Sequence, residues 1–516
     1  MDTAASVEAG TLSPPRLDMK FCLYGAIIYF LVTTFSAQIY LFLDYSSSLG
    51  LRDVGFFQQA LHNFTTEGTL ETSLAADTSL GAHNHRQSIF GGHAYLFLVF
   101  LIPLYYFFQT PLLLMLSQPL AYLLMIFLVY KILKELYQED LKIIYLILIL
   151  LLINPTYSIT LQNFNVYGFH LEFYFPPLFL AAYYFYAKDN LPLFIIFYIL
   201  SLSIIEYYSI IWITFSLYTI FVSKNPKRID FFVFTFSLAY LACAFLFFVP
   251  YFRGMSLPWY ARVLSMRGPG LDLELTQVIN LAKTLGINLL FNFAIFLFLP
   301  LRNIQTLILL LPWYSAFILA YLNGYVLPLS GGSWHGNAIY PVILLGYIKE
   351  FEKFSERQTK INILKVGFAV AILLSLAVQY LRPAYNHGLW ALIRNYSGLR
   401  DDYKVIQSIK REMSNQPVLV SFQLGKYFGD FKDVDVLENG SNIEENVQYI
   451  LYYSGGSPLS DQKLREIRNK YRATKEYKDI ILFEKIGKDE RISGNEKIDH
   501  ALDSAPRFHP FLSLAI

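Results

Sequence analysis

Asp44 and Asp53 flank a polar stretch that follows the first long apolar run of the chain. A carboxylate at such a place can take a proton from a hydroxyl as general base, or ligate a divalent metal. Helix capping and plain solvation account for such an acid equally well. Next come His83, His85 and His93, with Arg86 among them. Histidines at i and i+2 do not share a helix face but can converge in a loop. The spacings of structural zinc sites are absent, and two histidines beside an arginine suit a phosphate or pyrophosphate as well as a metal, or simply line an interfacial loop. His170 and Glu172 open a later apolar run, and Glu206 sits between two more. Ionisable groups close to membrane depth are costly and point to function unless they snorkel to water. The run Gly331-Gly332-Ser333-Trp334-His335 combines flexible backbone with groups that stack on, or hydrogen-bond to, a sugar or lipid headgroup; the alternative is an aromatic-belt loop. Arg253, Arg262 and Arg267 have the fork geometry that grips a lipid-linked phosphate.

The elements that must position these groups are membrane helices. Of 516 residues 55% are hydrophobic, 17% aromatic and only 16% charged, against about 25% charged in soluble domains. Apolar segments recur near 21–43, 94–108, 112–133, 142–153, 173–187, 191–206, 208–222, 230–250, 281–300, 304–321, 338–348 and 361–380. The segment 94–108 is short and carries Pro103. Read as a helix at the outer interface rather than a span, it puts Lys131, Lys134, Lys188, Lys227, Arg302, Lys349 and Lys360 on the cytoplasmic side, as the positive-inside rule favours. About eleven spans follow, with the N-terminus inside, the C-terminus outside, and every candidate group named above on the outer face. The net charge of +2 offers no basic excess for nucleic acid. Cys22 and Cys243 both lie in apolar runs and form neither a disulfide framework nor a metal motif.

After about Arg382 the long apolar runs stop and charge becomes frequent. An amphipathic helix over Asp401–Asn415, strands at Val418–Phe422, Val447–Tyr453 and Ile480–Glu484, and a helix over Asp461–Thr474 read as a small α/β domain. The expected organisation is a cytoplasmic tail over 1–20, a mainly α membrane helix bundle over 21–382 with a large first external loop at 44–111, and an extracytoplasmic α/β domain over 383–516.

Four stretches together resemble a known family. Asp53, Gly55, Phe57, Gln59, Ala60 and Asn63 fit a D-x-G-x-F-x-Q-A-x-x-N motif. Asn84-His85-Arg86-Gln87-Ser88 keeps the histidine of D-H-F-S-P, Phe169-His170-Leu171-Glu172 keeps the His and Glu of F-D-F-H-x-E, and Glu206 keeps the Glu of K-E-D. These motifs, in this order, are those of the prokaryotic membrane proteins of domain-of-unknown-function family 2079, which resembles a branch of the GT-C membrane glycosyltransferases. The resemblance implies a GT-C-like bundle, with an acid and interfacial helices in the first external loop, acting at the cell membrane. It also implies a polyprenyl-phosphate-linked sugar as donor, membrane lipid as surroundings, and no obligatory cofactor, a divalent metal being compatible. Asp53 and Asp44 are then the candidate catalytic carboxylates, and His85, His170, Glu172, Glu206, His335 and Arg262 the candidate substrate-binding groups. A non-catalytic membrane scaffold and a lipid or solute transporter are the alternatives.

Overall fold

Asp18 starts the first helix, its side chain accepting from the Lys20 amide at 2.9 Å. Helix α1 (Met19–Leu43) then runs for 25 residues without a charged group in its last turn. The structure is a computed structural model. It describes residues 18–44, 52–74, 87–136, 138–154, 168–223, 226–253, 275–322, 334–381, 389–413, 416–431, 434–437, 443, 445–455 and 459–486.

Helix α2 (Arg52–Glu67) is amphipathic rather than apolar; Val54, Phe57, Ala60 and Leu61 are buried and Glu67 is exposed. A two-stranded antiparallel ribbon follows, β1 (Glu71–Thr72) against β2 (Gln87–Ser88). Helix α3 (Leu98–Phe107) covers 10 residues of the expected interfacial segment, with Pro103 inside it. At about 1.5 Å per residue that is roughly half of a hydrocarbon core. It buries Leu98, Leu101 and Tyr105 and leaves Val99, Phe100, Tyr106 and Phe107 exposed.

The bundle continues through α4 (Pro111–Glu135), α5 (Leu141–Leu152), α6 (Phe175–Ala187), α7 (Leu191–Leu202) and α8 (Ser209–Phe221). Helix α9 (Arg228–Cys243) passes through a π-helical segment, Ala244–Phe248, into α10 (Val249–Arg253). Then come α11 (Leu275–Phe293), α12 (Ile304–Leu322), α13 (Tyr340–Glu352) and α14 (Arg357–Leu381). Among the described residues 5 helices are long and apolar enough to cross a membrane: Met19–Leu43, Pro111–Glu135, Arg228–Arg253, Val278–Phe296 and Arg357–Ala377. The other expected spans are shorter helices. Three of them begin on 3-10 turns: Leu171–Tyr174 before α6, Glu206–Tyr208 before α8, and Trp334–Ala338 before α13. Backbone that leaves the α-helix inside a membrane protein must be shielded by protein or line a wet cavity. Two of these turns carry the acids singled out above.

The basic residues at the opposite helix ends are knitted into ion pairs. Lys188 meets Glu135 at 2.9 Å, Arg357 meets Asp140 at 3.0 Å, and Lys360 pairs with Glu139.

Helix α15 (Leu389–Glu412) packs along α1 and leads into a five-stranded sheet. Its order is β4 (Val434–Leu437), β3 (Val418–Ser421), β5 (Tyr449–Tyr453), β7 (Ile480–Lys485), β6 (Tyr471–Tyr477). β3 is parallel to both neighbours, whereas β7 is antiparallel to β5 and β6. Strand alternation sorts the side chains onto two faces. Val418, Val420, Leu451, Tyr453, Ile480 and Leu482 join the hydrophobic core of the helix bundle. Leu419, Ile450, Tyr452, Ile481 and Phe483 form a second core with Ile467 of α16 (Asp461–Lys470). The expected helix over Asp461–Thr474 therefore needs correction. It ends at Lys470, and Tyr471–Thr474 belong to edge strand β6, where pairing with β7 supplies backbone partners that a helix terminus lacks. Strand β4 was absent from the sequence expectation.

Candidate functional site

The D-x-G-x-F-x-Q-A-x-x-N motif is helix α2, and most of its positions are explained by packing. Phe57 sets its ring edge-on to Phe169 at 5.2 Å and to Tyr95 at 5.3 Å. Gly55 lies so close to the tail that an added Cβ would stand 2.8 Å from the Gly425 carbonyl oxygen. The Gln59 carbonyl accepts from the Thr72 hydroxyl at 2.7 Å and the Ser73 amide at 2.9 Å, while its NH₂ donates to the Phe431 carbonyl at 3.1 Å. Asn63 donates to the Glu71 carbonyl at 2.9 Å. These contacts tie α2 to the β-ribbon and the C-terminal domain. Asp53 alone in the motif keeps a part-exposed side chain, 28% accessible.

Asp53 lies one helical turn before Phe57 and so shares its face. Its Oδ2 is 3.4 Å from Nε2 of His170, whose Nδ1 is 3.7 Å from Oε2 of Glu172. Gln118 positions the imidazole's backbone, donating to the Gly168 carbonyl at 2.9 Å and accepting from the His170 amide at 3.3 Å. Gly168 has φ +95°, in the left-handed region that favours glycine, and this turns the chain into the site. Glu172 is buried in its 3-10 turn. Its electrostatic neighbours are His93, Asp53 and Glu206.

Glu206 is fully buried nearby. Its Oε1 is 2.8 Å from Nδ1 of His93, and its Oε2 accepts from the Ala94 amide at 2.8 Å. His93 packs against the rings of Tyr95 and Tyr207. Tyr95 stands between the two pairs, touched electrostatically by Glu172, Tyr207, Asp53 and Glu206. His93 had stood out only as one member of a histidine cluster, and Gln118 not at all. The available signal for Gln118 was an amide inside a long apolar helix.

Asp44 faces a different set of groups, with Lys426, Tyr40 and Tyr453 as its electrostatic neighbours. The 3-10 turn carrying His335 packs against the turn carrying Glu172, and the side chain of His335 lies outside the described residues, as do His85 and Arg262. Among the described residues no group of three His, Cys, Asp or Glu side chains is arranged to hold a metal ion.

The family model described as a predicted membrane protein of domain-of-unknown-function family 2079 matches residues 48–396, from just before α2 into α15. No curated protein matches the chain.

Proposed function

This chain belongs to the DUF2079 family of predicted membrane proteins, and from that premise we propose that it is a glycosyltransferase using a polyprenyl-phosphate-linked sugar. In this reading the bundle has about eleven spans, and the C-terminal domain and the Asp53 site face the extracytoplasmic side. The observation that carries the reading is the line Asp53–His170–Glu172, drawn from two distant segments and leading from a part-exposed carboxylate into the protein. The acceptor hydroxyl attacks the anomeric carbon, and its proton passes to Asp53. The bond from that carbon to the phosphate oxygen breaks, and its electron pair leaves with the polyprenyl phosphate. The proton stays on Asp53, with His170 beside it at 3.4 Å and the buried Glu172 behind His170. His85 and Arg262 balance charge on the departing phosphate, where it develops in the transition state. Asp44, held against Lys426, has a structural part.

Purified protein in lipid nanodiscs, supplied with polyprenyl-phosphate sugars, tests this. Asp53→Asn keeps size and hydrogen bonding but cannot take the proton, so turnover falls about 10²–10⁴-fold, while Asp44→Asn keeps most of its rate. Undiminished turnover in Asp53→Asn rules out the base. A transporter is the second reading, favoured by the buried carboxyls Glu172 and Glu206 and the partly buried His93 paired with Glu206. Proton-driven uptake into vesicles by a chain inactive with every sugar donor would select it.

A further inference from the structure

The pair His93–Glu206 is surrounded by aromatic side chains of its own two segments and of two further helices. Tyr207 and Tyr208, next to Glu206 in the 3-10 turn, set their rings 5.7 Å and 5.8 Å from that of Trp313 on α12. Tyr240 on α9 is close enough to feel the Glu206 charge. Tyr95 closes the side toward Asp53. Two polar atoms in this cluster are anomalous. The indole Nε1 of Trp313 and the hydroxyl of Tyr240 are buried and have no hydrogen-bond partner among the described residues. Trp313 is only 9% exposed, so the orphaned donor is not a matter of surface solvation. A buried donor left unmatched costs about 1–3 kcal/mol, and native proteins carry few of them.

Donors without partners call for a ligand rich in acceptors. That excludes the other common guest of an aromatic cage, a quaternary ammonium, which offers none. The Glu206 carboxylate is not free to hold a cation either, since both its oxygens are engaged by His93 and Ala94. Aromatic faces combined with inward hydroxyl and indole donors suit a pyranose ring, whose C–H faces lie on the rings and whose hydroxyls accept. The neighbourhood also suits an attached lipid. Ala94 packs on Ala244 and Val249 of the π-helical segment and α10. The same π-helical segment and α10 line an open apolar cleft of about 890 Å³, with Phe247, Phe248, Tyr251 and Phe252 among its walls. π-Helical segments are retained mostly where function needs them.

We infer that Trp313, Tyr240 and Tyr207, around the Glu206–His93 pair, form the subsite for the sugar ring of a lipid-linked glycoside, and that Trp313 Nε1 and the Tyr240 hydroxyl donate to its oxygens. The inference deepens the transfer reading and rests on it for the role of the sugar as donor; the binding itself does not require turnover.

The test uses full-length protein in lauryldimethylamine oxide, a detergent without sugar. Octyl β-D-glucoside, octyl β-D-galactoside, octyl phosphate and octanol are titrated below their micellar concentrations, and thermal unfolding is followed by far-ultraviolet circular dichroism. Wild type is compared with Tyr240→Phe, which keeps the ring and removes only the donor, and with Trp313→Phe, which keeps an aromatic face but loses the indole N–H together with part of the ring. The expected result is a saturable rise in midpoint with at least one glycoside, with the half-saturating concentration raised about tenfold in each variant. Octyl phosphate and octanol should act equally on all three proteins. Without ligand, Tyr240→Phe should melt at or above the wild-type midpoint, because it loses an unmatched buried donor, whereas Trp313→Phe should melt lower because it also gives up buried ring volume. The inference is overturned if no glycoside shifts the wild type, if the variants respond like the wild type, or if dependence on Trp313 appears with octyl phosphate alone. Glycoside binding through Trp313 in a chain that transfers no sugar would keep the subsite and sink the transferase. Transfer unaffected by Trp313→Phe would do the reverse.

Discussion

Lys426 offers the sharpest test of how the C-terminal domain is joined to the bundle. Its side-chain nitrogen is fully buried and donates to the carbonyls of Leu41 at 3.0 Å and Asp44 at 2.6 Å. The neighbouring Tyr427 hydroxyl donates to those of Phe42 at 2.8 Å and Leu43 at 3.2 Å. Two adjacent side chains of the tail thus satisfy the last carbonyls of α1, which a helix end otherwise leaves orphaned. Burial pushes the lysine down from 10.5 to about 7, with the Asp44 carboxylate acting against the shift. In the unfolded chain the amine stays protonated up to about pH 10.5. Between these two values the unfolded state therefore binds more protons, and stability must rise with pH. The whole span corresponds to at most about 5 kcal/mol, at ~1.36 kcal/mol per pH unit. Lys426→Met keeps the length of the side chain and removes both charge and donors. Above about pH 10.5 the wild type should be the more stable by about 1–3 kcal/mol, the worth of two neutral hydrogen bonds. As pH falls that advantage should vanish between about pH 8 and 10, and below pH 7 the methionine variant should be the more stable. Thermal midpoints in detergent over pH 6–10.5 measure this, and the difference between the two proteins cancels the titration they share. A difference that stays flat with pH would refute the account of a lysine held uncharged by burial.

Three further outcomes follow from the geometry. Gly55→Ala places a methyl 2.8 Å from the Gly425 oxygen and 3.0 Å from its carbonyl carbon, both backbone atoms that cannot swing away; a loss of about 1–3 kcal/mol is expected, with faster proteolytic release of the C-terminal domain. Glu206→Gln leaves an acceptor for the Ala94 amide but removes the charge facing His93, and should cost about 1–3 kcal/mol in thermal stability; an unchanged midpoint would show that the pair is not ionic. With Cys22 and Cys243 replaced, a cysteine at Lys134 should react only from the cytoplasmic side and one at His335 only from outside. Labelling of position 134 from outside would mean that the segment holding α3 crosses the membrane and would invert the proposed orientation.

Hydropathy and spacing were enough to specify a membrane protein, the positions of most helices, and the α/β character of the tail. Expected segments such as 112–133 and 361–380 lie inside α4 and α14, because the cost of burying polar groups in lipid acts residue by residue along the chain. The motif on α2 was legible as a family pattern within an external loop, in which the resemblance and not the spacing implied helices. Which of its residues hold structure and which face a substrate was not. Gln59 and Asn63 are occupied by the β-ribbon, and Asp53 is set beside His170, only because the bundle and tail bring distant segments together. The pairing of His93 with Glu206 spans 113 positions of sequence, and that of Lys426 with Leu41 spans 385. The replacement of long spans by short helices on 3-10 turns belongs to the same class. An apolar run has the same hydropathy whether it continues as α-helix or bends into a turn. The choice is made where neighbouring elements, such as Gln118 at Gly168 and His170, offer the freed backbone groups a partner.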